Sequence, residues 1–160
     1  MWRDAEPRDD AAILDLFIRL YTEDPSTAGP GPDDLRRTLA AFRADPALGQ
    51  AVVCDPGGGP VGYALLARFW SNELGGPVCA VDELCIAPAH RGSGLGSALF
   101  AALDAGRWQP DAVALTLEVT RGNPSAHRLY ERLGFRGDNR AMRRPTARGR
   151  AGVGVPLSRS

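Results

Sequence analysis

At 160 residues the chain can bury one sizeable core but not two. Hydrophobic residues make up 44% and charged residues 24%, the balance of a globular protein rather than a disordered or fibrous one. The formal net charge is zero, which excludes a global field for nucleic acid or for an anionic membrane.

In chain order, the first residues through Arg3 read as a short strand. A turn comes next, then a helix over about residues 9–21, with Ile13, Leu14, Phe17, Ile18 and Tyr21 on its helical period. A loop rich in Pro and Gly runs over 25–32, and Pro32-Asp-Asp opens a second helix reaching about Ala44. Gln50 to Cys54 and Val61 to Trp70 read as two strands of a hairpin, joined by the turn signal Asp55-Pro-Gly-Gly-Gly-Pro. After a loop over 71–77, Val78 to Ile86 gives a third strand of this meander. The pattern then changes to a helix over about 94–105, a strand over 113–119 and a helix over 123–133. Asn123 is the expected cap of that last helix, with Pro124 at its first position. A last strand is expected to start at Gly134-Phe135. Residues 1–144 should therefore form one mixed α/β domain, an antiparallel meander followed by a βαβ unit with about four flanking helices. Residues 145–160, rich in Arg and Gly, are expected to be a flexible tail.

All 19 basic residues are Arg, so no side chain can act as a Schiff-base or P-loop lysine. Cys54, Cys79 and Cys85 lie in apolar strand-like runs, without a CxxC pair and with only two histidines in the chain. Buried thiols in a reducing compartment, with no metal, are the expectation. No apolar N-terminal segment and no apolar run of about 18 residues occurs, so a cytoplasmic protein without a membrane partner is expected.

The most informative stretch is Pro88-Ala-His-Arg91-Gly92-Ser93-Gly94-Leu95-Gly96-Ser97, between a strand end and a helix start. Glycines at alternate positions bare backbone N–H groups where the helix dipole is positive, an arrangement suited to a pyrophosphate. Arg91 can add charge-assisted hydrogen bonds. The spacing GxGxG departs from the dinucleotide fingerprint GxGxxG, and a Walker loop needs a lysine; on these residues alone, a glycine-rich turn without a ligand stays open.

Arg91-x-x-Gly94-x-Gly96 resembles the R/Q-x-x-G-x-G/A motif of the GCN5-related N-acetyltransferase (GNAT) family. The later run Asn123-Pro-Ser-Ala126-His-Arg-Leu-Tyr130-Glu-Arg-Leu-Gly134-Phe135 is similar to that family's second signature, at the expected separation. The resemblance implies the GNAT-type acyl-CoA N-acyltransferase fold and acetyl-CoA as co-substrate. It implies transfer of acetyl to an amine, whether a polyamine, another small molecule or a peptide or protein amine. A non-catalytic acyl-CoA-binding module on the same fold is the alternative, and pairing as a homodimer is a habit of the family. The backbone of Leu84, Cys85 and Ile86 would pair with the pantetheine arm as an added strand would. Arg91, Gly92, Ser93, Gly94, Leu95, Gly96 and Ser97 would hold the pyrophosphate, with Asn123 and Ala126 on the far side of the cofactor.

Such a reaction needs a base for the amine, stabilisation of the thioester oxygen and an acid for the departing thiolate. An alkylamine with a pKa near ~10.4 is mostly charged at neutral pH, so baring its lone pair costs roughly 4–5 kcal/mol. The candidate carboxylates are Asp82 and Glu83 on the central strand, Glu118 on the next and Glu73 in the preceding loop. Strand alternation puts Asp82 and Glu83 on opposite faces, and Asp82 is favoured because it matches the acidic residue of polyamine-type members. Glu118 matches the base position of ribosomal-protein-type members. Tyr130, two helical turns after Asn123, is the expected acid and also a cofactor contact. Cys85 as a nucleophile is disfavoured because no histidine is obviously placed to activate it.

Overall fold

A computed structural model describes residues 1–23, 30–119 and 122–137. The elements are β1 (Trp2–Asp4), α1 (Asp10–Glu23), α2 (Pro32–Ala44), β2 (Gly49–Cys54), β3 (Gly62–Ser71), β4 (Gly76–Ile86), α3 (Leu95–Asp104), β5 (Ala114–Leu117) and α4 (Pro124–Arg132). One five-stranded sheet has the order β1-β2-β3-β4-β5, antiparallel except for the parallel β4–β5 pair. This is the meander followed by βαβ that the sequence implies; α3 makes the crossover between the two parallel strands.

Helices cover both faces of the sheet. Helix α1 buries Ile13, Leu16 and Phe17, and α2 buries Leu35 and Leu39, against Val53, Tyr63, Leu65 and Cys85. On the opposite face α3 buries Leu99, Phe100 and Leu103 against Val52, Cys54, Ala64, Leu66, Cys79 and Val81. Each such side chain contributes about 1.5–3 kcal/mol when taken fully from water. Trp2 ties the sheet edge to α3, since its indole N–H donates to the Leu95 carbonyl at 2.8 Å. Arg3 holds the first turn: its guanidinium spans both carboxylate oxygens of Asp9, which is 3% exposed, and also reaches Asp55.

Two features of β4 shape the open end of the sheet. Leu65 pairs with Glu83 and Leu66 with Val81, so Asp82 is the extra residue of a β-bulge. The parity of the strand switches there. Cys79 and Val81 pack into the α3 core, whereas Cys85 belongs to the α1 core and Leu84 packs against the α3 core. The second feature is where β5 stops. Its pairing with β4 ends at Val81–Leu117, while β4 continues to Ile86 paired, among the described residues, only with β3.

The strand expected over 113–119 is thus shorter, because the chain leaves the sheet after Leu117. The strand expected at Gly134-Phe135 does not start there. Gly134 sits at φ +86 just after α4, the Phe135 N–H donates back to Tyr130, and 135–137 carry no strand pairing. A left-handed residue closing a helix satisfies its last carbonyls instead of extending the chain. The expected tail, 145–160, lies outside the described residues.

Candidate active site

The gap left where β5 ends is a cleft of about 710 Å³. One wall is β4 through Leu84, Cys85 and Ile86; the floor is the loop and first turn of α3; the other wall is α4 through Ala126, Leu129 and Tyr130. Every proposed cofactor contact except Ser93 lines it. The Ser93 hydroxyl turns back to donate to the His90 carbonyl. Leu20, Glu23 and His90 also line the cleft, and the sequence motifs do not mark them as contacts.

The loop keeps its donors free. Gly92 and Gly94 sit at φ +74 and +85, a region costly for residues with a Cβ, and a Cβ on either would meet nothing within 4 Å. Backbone conformation, not crowding by the protein, is therefore what demands glycine there. Gly94 is the N-cap of α3, whose intrahelical bonding begins with the Ala98 N–H donating to the Gly94 carbonyl. The N–H groups of residues 92–97 consequently find no acceptor among the described residues. Gly96 differs: it is buried, and a Cβ there would come within 3.1 Å of Leu129 Cδ2, so this glycine lets α3 approach α4 closely.

Arg91 departs from the expectation that it is ready for an anion. Its Nε donates to the Ile86 carbonyl at 2.8 Å and its Nη2 to Glu23 Oε2 at 2.7 Å, while its own N–H donates to Pro88. The guanidinium thus links the end of α1 to the end of β4.

On α4, Asn123 Oδ1 accepts from the Ala126 N–H at 3.0 Å, as a cap should. Tyr130 stands one further turn along, its ring edge-to-face with Phe100 and Phe135 at centroid distances of 5.8 and 5.9 Å. Its hydroxyl makes no hydrogen bond to a described residue, and burial pushes its pKa up.

The carboxylates separate clearly. Asp82, on the bulge, is exposed. Glu83 is half-buried on the α1 side of β4, its Oε1 accepting from Tyr21 and its Oε2 from Tyr63, each at 2.7 Å. Burial raises its pKa, and the two hydroxyls oppose that rise. Glu118 is exposed just past the end of β5. Glu73 cannot share the site: it sits in the turn before β4, about 30 Å from Ile86 by strand rise. Cys85 is buried, its thiol pushed up to about 11 by desolvation and its Sγ 3.6 Å from the Leu16 carbonyl, so little thiolate exists at neutral pH. Sequence patterning treats Tyr21 and Tyr63 only as apolar positions. The available signal is that a buried tyrosine needs a partner for its hydroxyl.

Among the described residues no group of three His, Cys, Asp or Glu side chains could hold a metal, and no helix is long and apolar enough to cross a membrane. A mycothiol acetyltransferase from Thermobispora bispora is 33% identical over 135 residues, 83% of this chain and 45% of that protein. A streptothricin acetyltransferase from Streptomyces lavendulae is 31% identical over 125 residues, 74% of this chain and 57% of that protein. The chain spans about half the length of the curated relatives it matches. A crystal structure described as a possible acetyltransferase from Clostridium difficile 630 superposes with a TM-score of 0.75, covering 92% of this chain and 97% of that one at 20% identity, which speaks for the fold alone. The model of the acetyltransferase (GNAT) family matches residues 12–135, which span the free-amide loop, the open edge of β4 and Tyr130, and the chain belongs to that family.

Proposed function

We propose that the protein is an acetyl-CoA-dependent N-acetyltransferase acting on an amine. The observation that carries the reading is the row of N–H groups at residues 92–97 unclaimed among the described residues; Gly92 and Gly94 to Ser97 line the same cleft as Tyr130, whose hydroxyl bonds to no described residue. Six bared donors at a helix N-terminus suit a diphosphate, and the absence of any contact for a Cβ at Gly92 or Gly94 leaves room for one to approach the backbone. The edge of β4 beyond Val81, unpaired among the described residues, is suited to hold an amide-bearing arm as an added strand would.

The co-substrate supplies an activated acyl carbon; the chain's residues orient it and move protons. Residues 92–97, with Asn123 and Ala126 opposite, would anchor its diphosphate end. A backbone N–H at Cys85 or Ile86 would polarise the carbonyl. A carboxylate of β4 would take the amine's proton, and Tyr130 would protonate the departing sulfur. The high pKa and burial of Cys85 favour direct attack over an acyl-enzyme. The names of the two relatives, a mycothiol acetyltransferase and a streptothricin acetyltransferase, favour a small-molecule acceptor.

Calorimetry with acetyl-CoA, followed by thiol release across spermidine, streptothricin and a peptide with a free N-terminal alanine, tests the proposal. Binding with turnover supports it. Binding without turnover on any amine would favour a non-catalytic CoA-binding module. No binding heat and no thermal shift would end it.

A further inference from the structure

Resting on the acetyl-transfer reading above, we infer that Glu83 is the general base, and that Tyr21 of α1 and Tyr63 of β3 are positioning residues that hold its carboxylate on the α1 face of β4. The bulge at Asp82 is what makes this geometry available. It turns Glu83 out of the α3 core and towards α1, on the face of β4 that carries Cys85 and against Tyr21; Cys85 and the α1 residues Leu20 and Glu23 line the cleft. Each carboxylate oxygen receives one hydroxyl at 2.7 Å, from elements 62 and 20 residues away in the chain. A carboxylate oxygen has two lone-pair sites, so one on each oxygen is left for an ammonium or a bridging water. Asp82, by contrast, is exposed on the bulge and accepts no hydrogen bond from a described residue that would hold it in place.

The proton path closes. An incoming ammonium gives one proton to Glu83, and the freed lone pair bonds to the thioester carbon. The C–S bond breaks with its electron pair on sulfur, which takes the Tyr130 proton. The second proton of the former ammonium restores the Tyr130 phenol, and solvent takes the proton from Glu83. One amide and one thiol are formed, with no oxidant or metal.

The groups that act on Glu83 are Tyr21 of α1, Tyr63 of β3 and its neighbour Asp82, while Arg19 and Glu23 of α1 and Arg91 beyond β4 act on the neighbouring Cys85, which also feels Glu83. Burial raises the carboxyl's pKa and the two hydroxyls pull it down. Removing one hydroxyl therefore lets the pKa rise, and the acid limb of the kcat/KM profile should move to higher pH. A tyrosine that only filled space would not move that limb.

The test is the pH profile of thiol release for wild type, Tyr21→Phe, Tyr63→Phe, Glu83→Gln and Asp82→Asn, using whichever of spermidine, streptothricin or alanine-terminated peptide turns over fastest. Acetyl-CoA binding by calorimetry accompanies each variant. Expected are an upward-shifted limb in both Phe variants, a loss of about 10²–10⁴-fold and of the limb itself in Glu83→Gln, and an unmoved limb in Asp82→Asn, all with unchanged acetyl-CoA affinity. Tyr21→Phe, at a half-buried position, provides the readout if Tyr63→Phe perturbs folding. A limb that moves with Asp82 and not with Glu83, or Phe variants with an unmoved limb, overturns this assignment while leaving the acetyltransferase reading intact. A wild-type protein that turns over no amine removes both.

Discussion

Replacing Tyr130 by Phe isolates one atom. The hydroxyl bonds to no described residue, whereas the ring is held edge-to-face by Phe100 and Phe135. The variant keeps that packing and loses no hydrogen bond to a described residue, so its unfolding free energy should stay within about 0.5 kcal/mol of wild type. For a chain of this length that is a Tm change of no more than about 2 °C. Turnover should behave differently. A positioned acid contributes about 10²–10⁴-fold, equivalent to roughly 3–5 kcal/mol on the barrier, and this should be lost from kcat with acetyl-CoA affinity unchanged. Thermal melts, calorimetry and thiol release on the same preparation give the three numbers. A Phe variant retaining kcat within threefold of wild type would refute the assignment of Tyr130 as the acid, and an equal loss of stability would show that the hydroxyl has a structural partner.

Gly94→Val should cost about 1–2 kcal/mol through its φ of +85, lowering Tm by roughly 3–6 °C, and weaken acetyl-CoA binding more than tenfold; Gly94→Asn, which tolerates that conformation better, should recover most of the Tm loss. Glu23→Gln should release Arg91 and tighten acetyl-CoA binding by up to about fivefold by calorimetry, with no measurable change in Tm because the pair is exposed. Asp9→Asn should destabilise by about 2–3 kcal/mol in urea titration, less than for a fully buried pair because the Arg3 side chain is 28% exposed. The hydrogen bond from Arg3 holds Asp9 below its usual range and brings Asp55 down to about 2. A depressed carboxylate stabilises the fold above its unfolded pKa of about 4 and loses that contribution as pH falls through its folded value. Wild type should therefore hold this contribution above about pH 4 and lose it towards pH 2, and the acid loss should be smaller in the Asn variant.

Local chemistry alone makes a good deal of the molecule legible. Gly92, Gly94 and Gly96 mark the loop because their spacing speaks of backbone conformation. Asn123-Pro124 marks the start of α4 because a cap and a rigid φ act within one turn. The order of strands and helices comes from periodicities of two and 3.6. Distances along the chain of tens of residues hide the rest. The bulge at Asp82 arises from how β4 pairs with β3, so the alternation used to separate Asp82 from Glu83 breaks at that point and cannot assign either to a face. Tyr21, Tyr63 and Glu83 converge only once α1 packs on the sheet, and Arg91 meets Glu23 across 68 residues of chain. Hydrophobic patterning decides which face of an element is buried; which polar groups then meet across that face is decided by packing, because a buried hydroxyl or carboxylate takes whatever partner the neighbouring element brings within reach.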